Sequence, residues 1–461
     1  MERRNYDLVV IGSGPAGQKG AICAAKLGKK VCVIDHHDRI GGVSLHTGTI
    51  PSKTLREAVL YLSGFRQRQF YGKHYRVKDQ ISVADLAKRV RPVLQHEVEV
   101  VRSQLQRNGI EIVHGLANFV DANTLDVEGS KGKIRVHGDR VLVACGTRPA
   151  HPPEIPIDGQ RVFNSDQLAK VAEIPRHLIV VGAGVIGLEY ACMLTALGGE
   201  VTIIEGRKTF LDFVDQELVE ALTYHMRRHG VTFRLGEKVV SVRAEDQVIA
   251  ELDSGKTVQA DALLYSVGRQ GNADRLGLDA AGLTCDARGR IAVNEFLQTA
   301  VPHIYAAGDV IGFPSLASAS MEQGRLASCH MFGMPSPLAM GLLPYGIYTI
   351  PELSMVGKNE QELTAGRIPY EVGIARFEEL AKAQMIGDQI GVCKLLFDPK
   401  SLKLLGVHVL GDQAAEIIHI GQAVLSLGAT IEYFRDTVFN YPTLAEAYKV
   451  AALDGLNKIR R

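Results

Sequence analysis

Residues 6–35, YDLVVIGSGPAGQKGAICAAKLGKKVCVID, and residues 176–205, RHLIVVGAGVIGLEYACMLTALGGEVTIIE, are two versions of one pattern. Each runs from an apolar stretch through GxGxxG and a helical periodicity to a second apolar stretch that ends on an acid. Gly12, Gly14, Gly17 and Asp35 of the first fall in register with Gly182, Gly184, Gly187 and Glu205 of the second. A single GxGxxG is a weak signal. Set between strand and helix, followed by an acid at the same offset and present twice, it predicts two Rossmann-like dinucleotide-binding units of an α/β fold. The glycine requirement is steric: the first turns strand into helix, the second lets backbone approach a pyrophosphate, and the third permits close packing of helix on sheet. The helix N-terminus then faces phosphate charge, and Asp35 or Glu205 accepts hydrogen bonds from ribose hydroxyls.

The rest of the chain bounds the class. Its 461 residues, 46% hydrophobic and 22% charged, suit a globular protein of roughly three domains. A formal charge of +1 gives no global field for nucleic acid or an anionic membrane, so neither is expected as a partner. Seven cysteines without a CxxC pair, most within apolar runs, imply buried free thiols of a reducing compartment, and a cytoplasmic location is expected. Residues 1–14 lack the apolar length and cleavage site of a signal peptide, while Glu189 interrupts the apolar run of the second repeat. No ligand pattern accompanies His36 and His37, so no metal is expected. Residues 85–109 alternate apolar and charged positions at helical spacing, which predicts a long amphipathic helix.

Further segments order the chain. VLVACGTRP (141–149) closes the first unit and RPAHPPEIP (148–156) forms a proline-rich exit; LLYSVGRQGN (263–272) closes the second. TAVPHIYAAGDVIG (299–312) is an apolar strand ending on Gly308 and Asp309, and GMPSPLAMGLLPYG (333–346) leads into a last segment with PTxxE at 442–446. Together with the loop GGVSLHTGTIPSK (41–53), these motifs resemble, in order and over essentially the full length, the pyridine nucleotide-disulfide oxidoreductases. The resemblance implies an FAD domain at 1–148 and 272–341, an NAD(P) domain at 149–271, and an α+β interface domain at 342–461 that makes a homodimer or larger homo-oligomer. It assigns FAD to Gly12, Gly14, Gly17, Asp35, Gly42, Val43, Ser44, Lys53, Ala117, Gly146, Asp309 and Ala317. The nicotinamide dinucleotide falls to Gly182, Gly184, Gly187, Glu205 and Gly268, with Arg207 and Lys208 as cations for the 2′-phosphate of NADP. Lys53 and Glu189 match the family's pair beside flavin and nicotinamide, and the helix starting near Ala317 points its N-terminus at the flavin.

Disulfide members of that family carry cysteines where this chain has Ser44 and Thr49. A hydroxyl has no accessible two-electron redox chemistry, so a relay from flavin through a dithiol is closed. Those members also place a histidine where NYPTLAEAY (440–448) has Tyr441, and tyrosine is a poor proton carrier near neutral pH; Glu446 lacks its usual partner. Reduction by one nicotinamide and reoxidation by another at a single site remains, a ping-pong exchange with NAD and NADP as substrates. The pattern GTIPSK with FNYPT and AEAY is similar to that of the soluble Si-specific NAD(P) transhydrogenases, which commonly keep a cysteine at the position of Ser44. An NAD(P)H diaphorase or quinone reductase of the same fold is the alternative.

Overall fold

The computed structural model describes residues 2–36, 40–130, 132–168, 171–335 and 341–459; His37 and residues 336–340 of the proline-rich lead lie outside them. Contacts divide the chain into one unit of Met1–Leu55, Ala87–Ala150 and Gly268–Met340 and another of Arg56–Leu86, His151–Val267 and Gly341–Arg461. The breaks at Ala150 and Gly268 differ from the expected 148 and 272 because strands Thr147–Pro149 and Arg269–Gly271 pair antiparallel, which keeps GRQGN in the first unit. Residues 56–86 were expected in the first domain but group with the second unit, where Arg56 bonds the Thr349 carbonyl and Arg68 that of Ala196.

The first unit is built on a seven-stranded sheet. Its order is Glu111–His114, Val31–Asp35, Arg3–Ile11, Gly132–Val143, Thr124–Gly129 and Leu116–Phe119, with Ile304–Ala306 added beside Val141–Val143. The strands around Arg3–Ile11 are parallel, and helices are the natural cover for both faces of such a sheet. Alternation shows how the apolar runs divide: Val9, Ile11, Ile34 and Val143 enter one core, Leu8, Val10, Val33 and Leu142 the other. The expected long helix spans Val83–Arg107.

The second unit holds a five-stranded parallel sheet ordered Val231–Leu235, Glu200–Glu205, His177–Val181, Ala262–Tyr265 and Val162–Asn164, with a three-stranded antiparallel sheet in addition. After Gly341 comes a different architecture: an antiparallel sheet ordered Tyr345–Ile347, Glu352–Gly357, Leu404–Gly411, Val392–Phe397 and Glu371–Arg376. Helices Ala414–Ser426 and Glu446–Ile459 pack with it around Phe377, Phe397, Phe434 and Tyr448. Among the described residues no helix is long and apolar enough to cross a membrane.

Candidate active site

Each repeat builds the same cradle. Gly12 adopts φ 105°, a left-handed conformation suited to glycine, and a Cβ on Gly17 would stand 1.9 Å from the Gly12 carbonyl oxygen. In the second copy, Gly182 adopts φ 101° and a Cβ on Gly187 would stand 2.2 Å from the Gly182 oxygen. Gly14 and Gly184 precede helices Pro15–Lys26 and Val185–Ala196, with open space where a Cβ would be. The residue between the first two glycines fixes the acid: the Ser13 amide donates to Asp35 Oδ2 at 2.8 Å and the Ala183 amide to Glu205 Oε2 at 2.9 Å. Both acids are buried, and these bonds fix the orientation of their carboxylates.

The two acids differ in their surroundings. Arg207 donates to Glu205 Oε1 from its backbone amide and Nε, each at 3.0 Å, and reaches Asp212 at 3.3 Å. Burial opposes ionisation of Glu205, but Arg207 and the Ala183 amide outweigh it and hold the carboxyl below the usual glutamate range. Two acids engage the Arg207 guanidinium, so a 2′-phosphate would meet it only after it leaves Glu205. Lys208 is exposed on the same turn.

In the first unit the loop at 41–53 is tied to the cradle. The Gly41 amide donates to Ser13 Oγ at 2.9 Å, and a Cβ on Gly42 would stand 2.7 Å from the Gly14 Cα. Val43 and Ser44 lie in the short helix Gly42–His46, where Ser44 Oγ donates to the Gly41 carbonyl at 3.3 Å; Thr49 begins helix Thr49–Ser63, which carries the half-buried Lys53. All seven cysteines are free thiols, none of them on this loop. Asp309 follows Gly308, whose amide donates to Gln323 Oε1 at 2.8 Å. Thr147 Oγ1 donates to Asp309 at 3.3 Å and accepts from Arg269 Nε at 2.8 Å, while burial raises the Asp309 carboxyl above the usual range.

Gly146 and Gly268 both have positive φ, with nothing near where a Cβ would stand, and Ala317 is the first residue of helix Ala317–Met331. Ala117 is buried in the sheet core opposite Val127, two residues beyond Gly115, whose amide donates to the Asp35 carbonyl. Thr47 Oγ1 is buried and has no hydrogen-bond partner among the described residues. Open glycine cradles, pre-set acids and this orphaned hydroxyl fit a dinucleotide. Sequence reasoning missed Ser13, Thr147, Arg269 and Gln323. Ser13, Thr147 and Arg269 lie inside the motifs that close or open the dinucleotide units, whereas Gln323 meets the Gly308 amide only through the fold.

In the second unit a buried acid and a buried base hold adjacent peptide groups of YTIPE (348–352). Glu189 Oε1 accepts from the Tyr348 amide at 2.9 Å, while Arg56 donates twice to the Thr349 carbonyl, at 3.2 and 3.1 Å, and pairs with Glu352 at 3.1 Å. Tyr441 is 71% exposed, and Glu446, heading the last helix, has a buried Oε2 without a hydrogen-bond partner among the described residues. Leu427 and Val438 add exposed apolar surface to the C-terminal region, as an interface would require.

Two dinucleotide folds followed by an α+β domain with such a surface define a class of flavoprotein oxidoreductase. The chain belongs to the pyridine nucleotide-disulphide oxidoreductases: the model of that description matches residues 6–324, and that of the family's dimerisation domain matches residues 343–452. The family is FAD-dependent and uses NAD(P), and the matched domain supports a homodimer. A soluble pyridine nucleotide transhydrogenase of Mycobacterium bovis, strain BCG Pasteur, is 54% identical over 460 residues, 99% of this chain and 98% of its own. Another, of Erwinia tasmaniensis, is 46% identical over 461 residues and 99% of each chain. Among solved structures, LpdA of Mycobacterium tuberculosis matches with a TM-score of 0.90 at 27% identity over 98% of this chain and 99% of its own. The HOCl-induced flavoprotein disulfide reductase RclA of Escherichia coli matches with 0.87 at 27% identity, over 97% and 99%.

Proposed function

We propose that the protein transfers hydride reversibly between NADPH and NAD through FAD, without a sulfur relay, in the cytoplasm. One observation carries this reading: both dinucleotide cradles are complete, while the loop that would hold the dithiol has Ser44 and Thr49. FAD supplies, when bound, a two-electron carrier that one nicotinamide reduces and another oxidises. This chain binds and orients. Asp35, held by Ser13, would take a ribose, the N-terminus of Pro15–Lys26 would meet the pyrophosphate, and Asp309, held by Thr147, would take a ribityl hydroxyl. Lys53 and Glu189 are assigned to orienting flavin and nicotinamide, and Tyr441 and Glu446 to facing the flavin of the partner subunit.

The direct experiment follows hydride from NADPH to a thio analogue of NAD with purified, flavin-loaded protein. Stoichiometric exchange with parallel double-reciprocal lines is expected. Fast reoxidation by quinone with slow reoxidation by NAD would move the assignment to a diaphorase, and turnover with oxidised lipoamide or glutathione would overturn the premise.

Nucleotide choice rests on Glu205 and its neighbours. A 2′-phosphate must displace Arg207 from Glu205, after which the cation offsets the acid's repulsion. Arg207→Ala with Lys208→Ala leaves that repulsion unopposed, so the KM for NADPH should rise about tenfold or more while that for NADH changes little. Steady-state kinetics with both reductants decide it, and equal effects would remove the assignment.

A further inference from the structure

The sulfurs of Cys23 and Cys329 lie 3.7 Å apart, although 306 residues separate them in sequence. Cys23 belongs to helix Pro15–Lys26 and Cys329 to helix Ala317–Met331. Glycines bring these helices into backbone contact: a Cβ on Gly324 would stand 1.9 Å from the Ala16 carbonyl oxygen, and one on Gly20 would stand 3.1 Å from that of Gly324. Ser328 Oγ adds a bond to the Gly20 carbonyl at 2.8 Å. The pairing of the thiols is therefore fixed by packing. Arg325, one turn before Cys329, donates to its sulfur from Nη1 at 3.7 Å and is paired with Glu322. Cys23 is half-buried, whereas Cys329 is buried.

We propose that Cys23 and Cys329 are an oxidation site that closes to a reversible disulfide on exposure to a hydroperoxide. The Cys23 thiolate attacks a peroxide oxygen, giving a sulfenic acid and an alcohol (water, from hydrogen peroxide). The Cys329 thiolate then attacks that sulfur and expels hydroxide, which takes up a thiol proton and leaves as water. Two electrons pass from the thiols to the peroxide. The sulfurs must close from 3.7 Å to about 2 Å for the bond to form. Burial and the neighbouring Cys329 push the Cys23 thiol up to about 11, so thiolate is scarce at neutral pH and the bridge forms slowly there, faster as pH rises. The bridge ties the helix of the first cradle to the helix that follows Asp309. Its functional consequence, slower flavin release, rests on the FAD reading above.

Holoenzyme is treated with tert-butyl hydroperoxide, unfolded, alkylated and digested. Alkylatable thiols should fall by two from seven, with one cross-linked peptide pair joining Cys23 to Cys329. Dithiothreitol should restore both thiols, and neither Cys23→Ser nor Cys329→Ser should form the bridge. Flavin release in urea should be slower from oxidised than from reduced protein, and that difference should vanish in either variant. Sulfinic acid at Cys23 with Cys329 still alkylatable, or seven thiols remaining, would overturn the proposal. The peptide readout does not need flavin, so a missing bridge and a colourless protein are separate failures.

Discussion

Gly17→Ala protein is expected to emerge from purification colourless, whereas Gly187→Ala protein should be yellow yet poorly reduced by NADPH. The added methyl of the first would stand 1.9 Å from the Gly12 carbonyl oxygen, far inside contact distance, and the obstacle is backbone that cannot rotate away. Helix Pro15–Lys26 must lift from the sheet, carrying its N-terminus off the phosphate and loosening the Ser13 contact that orients Asp35. In the second copy the methyl meets the Gly182 oxygen at 2.2 Å and Ser266 Oγ at 2.9 Å, so that helix must move as well. Overpacking of this kind costs about 1–3 kcal/mol or more, which corresponds to roughly ten- to hundredfold in affinity. Flavin absorbance of the purified proteins and anaerobic titration with NADPH separate the two effects. Loss of flavin from Gly187→Ala with retention by Gly17→Ala would reverse the assignment of the cradles.

The repeat made the fold legible because its glycines answer a steric demand that no other residue meets, and the acids mark where each second strand ends. The parallel strands at the centre of both sheets followed from those segments. Domain edges were less accessible, since the pairing of Thr147–Pro149 with Arg269–Gly271 joins segments more than a hundred residues apart and no local pattern announces it. The site divides the same way. Asp35, Glu205 and Asp309 stood at fixed offsets from glycines; Ser13 and Arg207 lie inside or beside the same motifs, whereas Thr147 meets Asp309 only through the fold, across 162 residues. Arg207 shows the hazard: two residues from an acid, its charge suggested a ligand, and the fold first uses it as that acid's counter-ion. Cys23 and Cys329 each looked like an ordinary core thiol, and only the glycine-mediated approach of their helices makes them a pair.

Lys394→Met should cost about 3–5 kcal/mol of stability, the range for a buried ion pair that loses one partner. Lys394 lies mid-strand in the apolar run VCKLLF, with its side chain fully buried. Its ammonium donates to Asp215 and Glu217, each at 2.8 Å, and pairs with Glu360. Burial alone would favour the neutral amine, but the three carboxylates outweigh it and raise the pKa above the ordinary lysine value. Methionine fills a similar volume but leaves Asp215, only 1% exposed, as an uncompensated charge. Asp215 also caps helix Gln216–Arg228 through the Glu217 amide, so the damage reaches the helix start. A folded pKa above the unfolded value of about 10.4 means the stabilisation is complete below that pH and is lost as pH rises through the folded value. Urea denaturation of wild type at rising alkaline pH should therefore lose stability that Lys394→Met lacks throughout. Adding Asp215→Asn keeps the cap oxygen and removes the stranded charge, so the double variant should recover a large part of the loss. A single variant within 1 kcal/mol of wild type, roughly the scatter of surface substitutions, would mean that the cluster is solvated and contributes little.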